Sequence, residues 1–258
     1  MSTPGPRILR VGFSPVKGTA HLDLPRIEVD PHGVVGDRRW CFVDPVERRV
    51  LRTVQHPGLV ALHAVETRSG TGTGARPSLS ITAPDGERVV AVPTPTGRHL
   101  RCDYWGREVD LALMVGPHAA LVGRVLGRDV ALAAAPPRGV VYGAGLTLLT
   151  RASLDELAAR TGTAVDPARF RASAVIETDE AAGAEDGWAG RELRLGTATV
   201  KVGAPVGRCA VIDLDPRTGE RAGRLLRALA DYRPRTPAGE PAFGVYAEVV
   251  TPGLIRVT

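Results

Sequence analysis

Gly203-Ala-Pro-Val-Gly-Arg-Cys-Ala-Val-Ile-Asp-Leu-Asp-Pro-Arg-Thr-Gly219 is the stretch on which the reading of the rest of the chain hangs. Ala210-Val-Ile212 is a short apolar run, read as a strand carrying Cys209, and Asp213 to Gly219 is a turn built from Asp, Pro and Gly. Arg208 directly precedes Cys209. A guanidinium beside a thiol favours the thiolate, which binds soft metals or attacks sulfur. Taken by itself, a free cysteine on an apolar strand is more often a core residue.

Working outward, Trp188 to Leu195 and Thr199 to Val202 read as a hairpin about Gly196. Arg221 to Tyr232 alternates at helical period, with Leu225, Leu226, Leu229 and Tyr232 on the apolar face. Phe243 to Val250 and Leu254 to Val257 close the chain as strands. Upstream, Leu146 to Leu149 and Ala172 to Glu177 are apolar segments, and Ser153-Leu-Asp-Glu156 is a capping box opening a helix that Gly162 closes. Pro117 to Leu126 is a second helix, ended by Gly127. Ahead of it lie Ile8–Phe13, Leu22–Val29, Arg38–Val43, Val50–Val54, Leu59–Val65, Leu79–Thr82, Arg88–Val92, His99–Trp105 and Glu108–Leu111 as strands. Arg68 to Arg76 reads as an exposed hairpin loop. Turn signals recur about every eight to twelve residues, which predicts a mainly β fold of β-barrels with a few helices. The division expected is 6–115 as an N-terminal β-barrel domain, 116–139 as helix and linker, and 140–258 as a second β-barrel domain.

Composition agrees and narrows the function. Of 258 residues, 43% are apolar, enough for a sizeable core, while Gly (30) and Pro (21) match a turn-rich β fold. The net charge of +5 suits an anionic ligand, but the basic residues are scattered without an aromatic-basic stripe, so no nucleic acid partner is expected. Cys41, Cys102 and Cys209 are too few and too spread for a disulfide framework, and no CxxC pair exists to hold zinc or iron–sulfur. No signal-peptide core or membrane-length apolar run is present, so a cytoplasmic protein without a membrane partner is expected. The six histidines form no HxH or HExxH pattern, the serines no nucleophile elbow, and there is no GxGxxG or Walker loop.

The remaining candidates are cations. Lys17 ends the first strand in Pro15-Val-Lys-Gly18, and Lys201 is the only other lysine, so a compact ammonium at an anion site is one reading and a surface lysine the other. Gly36-Asp-Arg-Arg-Trp40 opens a strand with Arg38 and Arg39, available to a phosphate or to structural ion pairs. Asp166-Pro-Ala-Arg-Phe-Arg171 places Arg169 and Arg171 on one face if the segment is extended. Glu185-Asp-Gly-Trp188 is a turn with an aromatic anchor.

In their order and spacing these pieces resemble the MOSC family, the C-terminal domain of molybdenum cofactor sulfurases, preceded by its N-terminal β-barrel domain. The motifs are Pro15-Val-Lys17, Gly36 to Trp40, Gln55-His-Pro57, Ser153 to Leu157, Arg169 to Arg171, Glu185 to Trp188, Arg208 to Gly219 and Phe243 to Tyr246. In members similar to the mitochondrial amidoxime reducing component, the resemblance implies Cys209 as molybdenum ligand, with Cys209 and Arg208 at the catalytic centre. It also implies molybdopterin contacts from Lys17, Arg38, Arg171, Arg169, Ser173 and Thr147. The reaction implied is two-electron reduction of a small N-hydroxylated compound, with electrons from a separate protein. No iron–sulfur cluster and no pyridoxal phosphate are expected in this chain. Alternatives are a sulfur-transfer protein carrying a persulfide on Cys209, and a specialised-metabolism enzyme of changed chemistry. Three departures stand out: Ala204 and Val206 where the family has Arg and Cys, Gly18 for Ser, and Ala172-Ser173 for Pro-Asn.

Overall fold

The computed structural model describes residues 5–67 and 76–258. The loop read over Arg68 to Arg76 falls, but for Arg76, outside them. The first half contains strands β1 (Arg7–Val11), β2 (Arg26–Asp30), β3 (Gly33–Val34), β4 (Trp40–Asp44), β5 (Arg49–Val50), β6 (His63–Thr67), β7 (Ser78–Thr82) and β8 (Arg88–Ala91). A long hairpin follows, β9 (Thr94–Tyr104) and β10 (Arg107–Val115), then helix α1 (His118–Leu126) and β11 (Ala131–Ala134). The second half holds β12 (Leu146–Thr150), α2 (Arg151–Thr161), β13 (Ala174–Glu177), β14 (Glu192–Leu195), β15 (Ala198–Gly207), α3 (Leu225–Tyr232), β16 (Ala242–Thr251) and β17 (Gly253–Arg256). The mainly β class expected from the sequence is what the chain adopts.

A closed barrel runs in the order β10-β11-β4-β5-β9. Every residue of β4 is buried, because both faces of this strand are covered. Cys41 and Val43 point into the barrel with Cys102, Tyr104 and Leu111, whereas Trp40 and Phe42 pack outward with Leu59, Leu79, Leu121 and Val122. The stretch 116–139 is more than helix and linker: β11 pairs with both β4 and β10 and closes the barrel.

The second half is a six-stranded sheet, β1-β13-β12-β16-β15-β14. Its first strand comes from the N-terminus, since β1 pairs antiparallel with β13. The ribbon β17-β2-β3 lies across both free edges: Thr258 N donates to Ile8 O on β1 (3.0 Å), and Thr197 N, beside β14, donates to Leu254 O (3.0 Å). The two halves are therefore tied together by chain segments from both ends.

Local corrections have local causes. The helix α2 is capped by Thr150, whose hydroxyl accepts from Ser153 N (3.2 Å); Ser153, expected as the cap, lies in the first turn and donates to buried Glu185 (2.6 Å). Leu59 falls in a 3-10 turn over Pro57–Ala61 instead of a strand, because Pro57 presets the helical φ. Residues after Cys209 also form a 3-10 turn, Ala210–Asp213, which corrects the strand read there. Asp213 is the reason: its carboxylate accepts from Leu226 N (2.9 Å) and its carbonyl from Ala222 N (2.8 Å), pulling the chain toward α3.

Candidate functional site

Lys17 owes its position to the loop 14–20, which folds against the turn at 36–40. Lys17 N donates to Trp40 O (2.7 Å), and Arg38 N donates to Ser14 O (2.8 Å). Asp37 accepts from Ser14 N (3.1 Å) and pairs with the Arg38 guanidinium. Arg38 sits in the left-handed region (φ 49), as does Arg171 (φ 54), which caps the 3-10 turn Pro167–Phe170. That turn replaces the extended segment expected, so Arg169 and Arg171 diverge instead of sharing a face. Arg171 reaches across to the first half, donating to Thr19 O (2.7 Å) and Ser14 Oγ (2.7 Å).

All eight residues singled out from sequence line one cleft of about 200 Å³ between the barrel and the six-stranded sheet. Their roles differ. Cys209 is exposed there, while Cys41 and Cys102 are buried in the barrel. The exposure follows from the fold: β15 ends at Gly207, and the 3-10 turn begins just after the thiol. Arg208 is buried, donating to Phe243 O (2.8 Å) and Phe170 O (3.0 Å), and its Nη2 has no hydrogen-bond partner. Its guanidinium thus anchors the cleft wall instead of serving only the neighbouring thiol.

Arg169 lines the cleft, but its donors go to Leu214 O (2.6 Å), Ala222 O (3.1 Å) and Ile212 O (3.2 Å), which makes it a brace for the turn after Cys209. Ser173 and Thr147 hydrogen-bond each other where β12 meets β13: Thr147 N donates to Ser173 Oγ (3.1 Å), and Ser173 N to Thr147 Oγ1 (3.2 Å). Both are wall residues already satisfied by the protein.

The cations crowd one another. Burial, then the charges of Arg38 and Arg171, hold Lys17 well below the usual lysine range. Burial, then Arg38, lowers Arg171 to about 10, which leaves it charged at neutral pH. Burial also lowers Arg208 to about 10. Asp37 is the acidic group that opposes this charge around Lys17 and Arg171, so the cluster is short of negative charge and suits an anion.

Sequence reasoning missed Arg52, Thr53, Trp105, Tyr142, Glu240 and Tyr246, which also line the cleft. Apart from Tyr246, which lies within β16, they come from loops and turns in separate parts of the chain, so no local spacing marks them. Thr53 bears on one departure from the family. Gly18 has φ +90, and a Cβ there would lie 2.9 Å from Leu59 Cδ1 and 3.2 Å from Thr53 Oγ1. The Thr53 hydroxyl stands beside the place a serine side chain would have taken.

The residues present fit a cofactor that brings its own metal and an anionic tail. Among the described residues no group of three or more His, Cys, Asp or Glu could hold a metal ion, so a metal here would take most of its ligands from elsewhere. One accessible soft thiol, a cluster of cations and an orphaned buried Arg208 donor meet that requirement.

Fold and cleft together define a class: a mainly β protein of two interlocked halves, with a cationic, thiol-bearing cleft at their junction. The chain belongs to the MOSC family. The MOSC domain matches residues 139–258, and the MOSC N-terminal beta barrel domain matches residues 6–128. Among curated proteins it is similar to a molybdenum cofactor sulfurase of Drosophila grimshawi, 26% identical over 251 residues, covering 93% of this chain and 32% of that protein. A molybdenum cofactor sulfurase of Danio rerio is 38% identical over 78 residues, 30% of this chain and 8% of that protein. The chain thus spans about a third of the length of the Drosophila relative. Among solved structures, the YuaD protein from Bacillus subtilis aligns with a TM-score of 0.42 and 10% identity, over 98% of this chain and 92% of that one. No helix among the described residues is long and apolar enough to cross a membrane.

Proposed function

We propose that the cleft binds the molybdenum cofactor and that the protein reduces small N-hydroxylated compounds, with electrons from a separate redox protein. The observation that carries this reading is the meeting of one exposed thiol with Lys17, Arg38 and Arg171 in a single cleft. Cys209 would be the metal ligand, and the three cations would hold the pterin phosphate. Once bound, the cofactor supplies two-electron redox chemistry.

The chain's own part is positioning. Arg208 fixes the strand end that presents Cys209, through its bonds to Phe243 and Phe170. Reduction of an N–OH to N–H consumes two electrons and two protons and releases water. Tyr246 lines the cleft, and burial, the largest cause, raises its pKa, so its phenol stays a neutral hydrogen-bond donor that would orient the N–OH oxygen, with the two protons drawn from solvent. A persulfide on Cys209 would need no such cluster of cations, and no observation favours sulfur transfer on its own account.

Elemental analysis of the purified protein, beside fluorescence of the released oxidised pterin, tests the reading. Near-stoichiometric molybdenum is expected, lost in Cys209→Ala and reduced with the pterin in Lys17→Met. Full reductase activity in metal-free protein would sink it.

A further inference from the structure

We propose that Arg52, Trp105 and Tyr142 form a substrate subsite at the cleft, taking a planar aromatic compound that carries a carboxylate. For its chemistry this rests on the reductase reading above; its binding does not.

The anomaly is Trp105. Trp105-Gly106 is the two-residue turn joining β9 to β10, with Tyr104 and Arg107 paired across it. Both turn residues have positive φ, 57° and 76°. Such a turn favours Asn-Gly, and a bulky side chain at its first position is strained. A tryptophan stands there nonetheless, 45% exposed, while Trp40 and Trp188 are buried. Strain kept at a position that contributes little to the core points to a use outside folding.

Its surroundings say what use. Tyr142, 56% exposed, meets the indole edge-on at 5.3 Å between centroids. The Arg52 guanidinium carbon lies 4.4 Å from the centre of the Trp105 ring. Arg52 Nε donates to Gln55 Oε1 (3.0 Å), and among the described residues no carboxylate pairs with its guanidinium. All three side chains line the cleft that holds Cys209. The segment bearing Tyr142 is braced from both halves: Arg107 donates to Gly139 O (3.1 Å) and to Val141 O, and Arg138 holds Glu248 by two bonds of 2.9 and 3.1 Å. Two aromatic rings in edge-to-face contact beside a guanidinium that pairs with no carboxylate among the described residues match a flat π surface with an adjoining carboxylate.

The test is calorimetric titration of the full chain with 2-naphthoate, 2-naphthamide and cyclohexanecarboxylate. Naphthoate is expected to bind about tenfold more tightly than either other probe. Trp105→Asn weakens naphthoate about tenfold while the thermal midpoint holds or rises, because Asn-Gly suits the turn. Arg52→Gln erases the preference for naphthoate over the amide. Equal binding of the three probes, or wild-type affinity in Trp105→Asn, overturns the proposal. Molybdenum content measured on the same samples separates the two readings. The naphthoate pattern in metal-free protein upholds the subsite and counts against the cofactor; stoichiometric metal without the pattern does the reverse.

Discussion

Cys209 and its neighbours show how one residue type takes opposite roles in one chain. Burial pushes the Cys41 and Cys102 thiols upward, the latter to about 11, and keeps them protonated inside the barrel. Cys209 alone is exposed. Native protein should therefore take up one equivalent of a maleimide, read by intact mass, and Cys209→Ser should take up none until unfolded. More than one adduct on native protein would contradict the burial of the other two. Lys17 carries a second expectation. Its folded pKa lies well below its ordinary 10.5, so between those values the unfolded chain holds a proton that the folded chain lacks. Stability should rise with pH across that window. Lys17→Met should remove this rise and raise the urea midpoint at neutral pH, while abolishing stabilisation by inorganic phosphate. A variant that is destabilised there, or that keeps its phosphate response, would show that Lys17 is not a strained anion-binding cation.

At the scale of elements, the site is built from strand ends and short turns, and those are where sequence periodicity is weakest. Helices and short hairpins were legible: α3 sits inside the stretch read as helical, and β7 and β8 pair as the hairpin that Pro84-Asp-Gly86 between them implies, whereas the long strands β9, β10 and β15 were read only in part. The turn after Cys209 was not, because Ala-Val-Ile reads as strand and only Asp213, bonded to the start of α3, bends it into a 3-10 turn. The capping residue was misread by three positions for a similar reason. Both Thr150 and Ser153 are good caps, and contacts 30 and 32 residues away decide between them: Ser153 Oγ donates to the buried Glu185 carboxylate and accepts from Gly183 N, which leaves Thr150 Oγ1 to accept from Ser153 N. Thr150→Ala loses a cap and a donor to that carboxylate together, so a cost of about 1–2 kcal/mol is expected from urea unfolding. A change within about 0.5 kcal/mol, the scatter of surface changes away from such features, would remove Thr150 from that role.

Across the whole molecule, two family domains share their sheets. β1, from the first, completes the sheet of the second, and the β17-β2-β3 ribbon covers both edges of that sheet. Residues 139–258 alone would expose the β13 edge and lose the ribbon's β2 and β3, leaving unpaired backbone and apolar surface open to aggregation. Calorimetry of the full chain should give one cooperative transition, and residues 139–258 expressed alone should be insoluble or molten. Two resolved transitions, or a folded isolated segment, would show that the halves are independent. The same interlocking makes the cleft: Lys17 and Arg38 come from one half, Arg171, Arg208 and Cys209 from the other.

The amino-acid sequence by itself determined the mainly β class and most strands and helices, because apolar period and turn chemistry are local and survive without coordinates. It named Lys17, Arg38, Arg171 and Cys209 without showing that they meet. Only the tertiary structure assigned their roles. It turned Arg169 into a brace, paired Ser173 with Thr147, exposed Cys209 by ending β15 just before it, and brought Arg52, Trp105 and Tyr142 to the same cleft. Those outcomes depend on hydrogen bonds and burial between segments far apart in the chain, and no spacing within a segment encodes them.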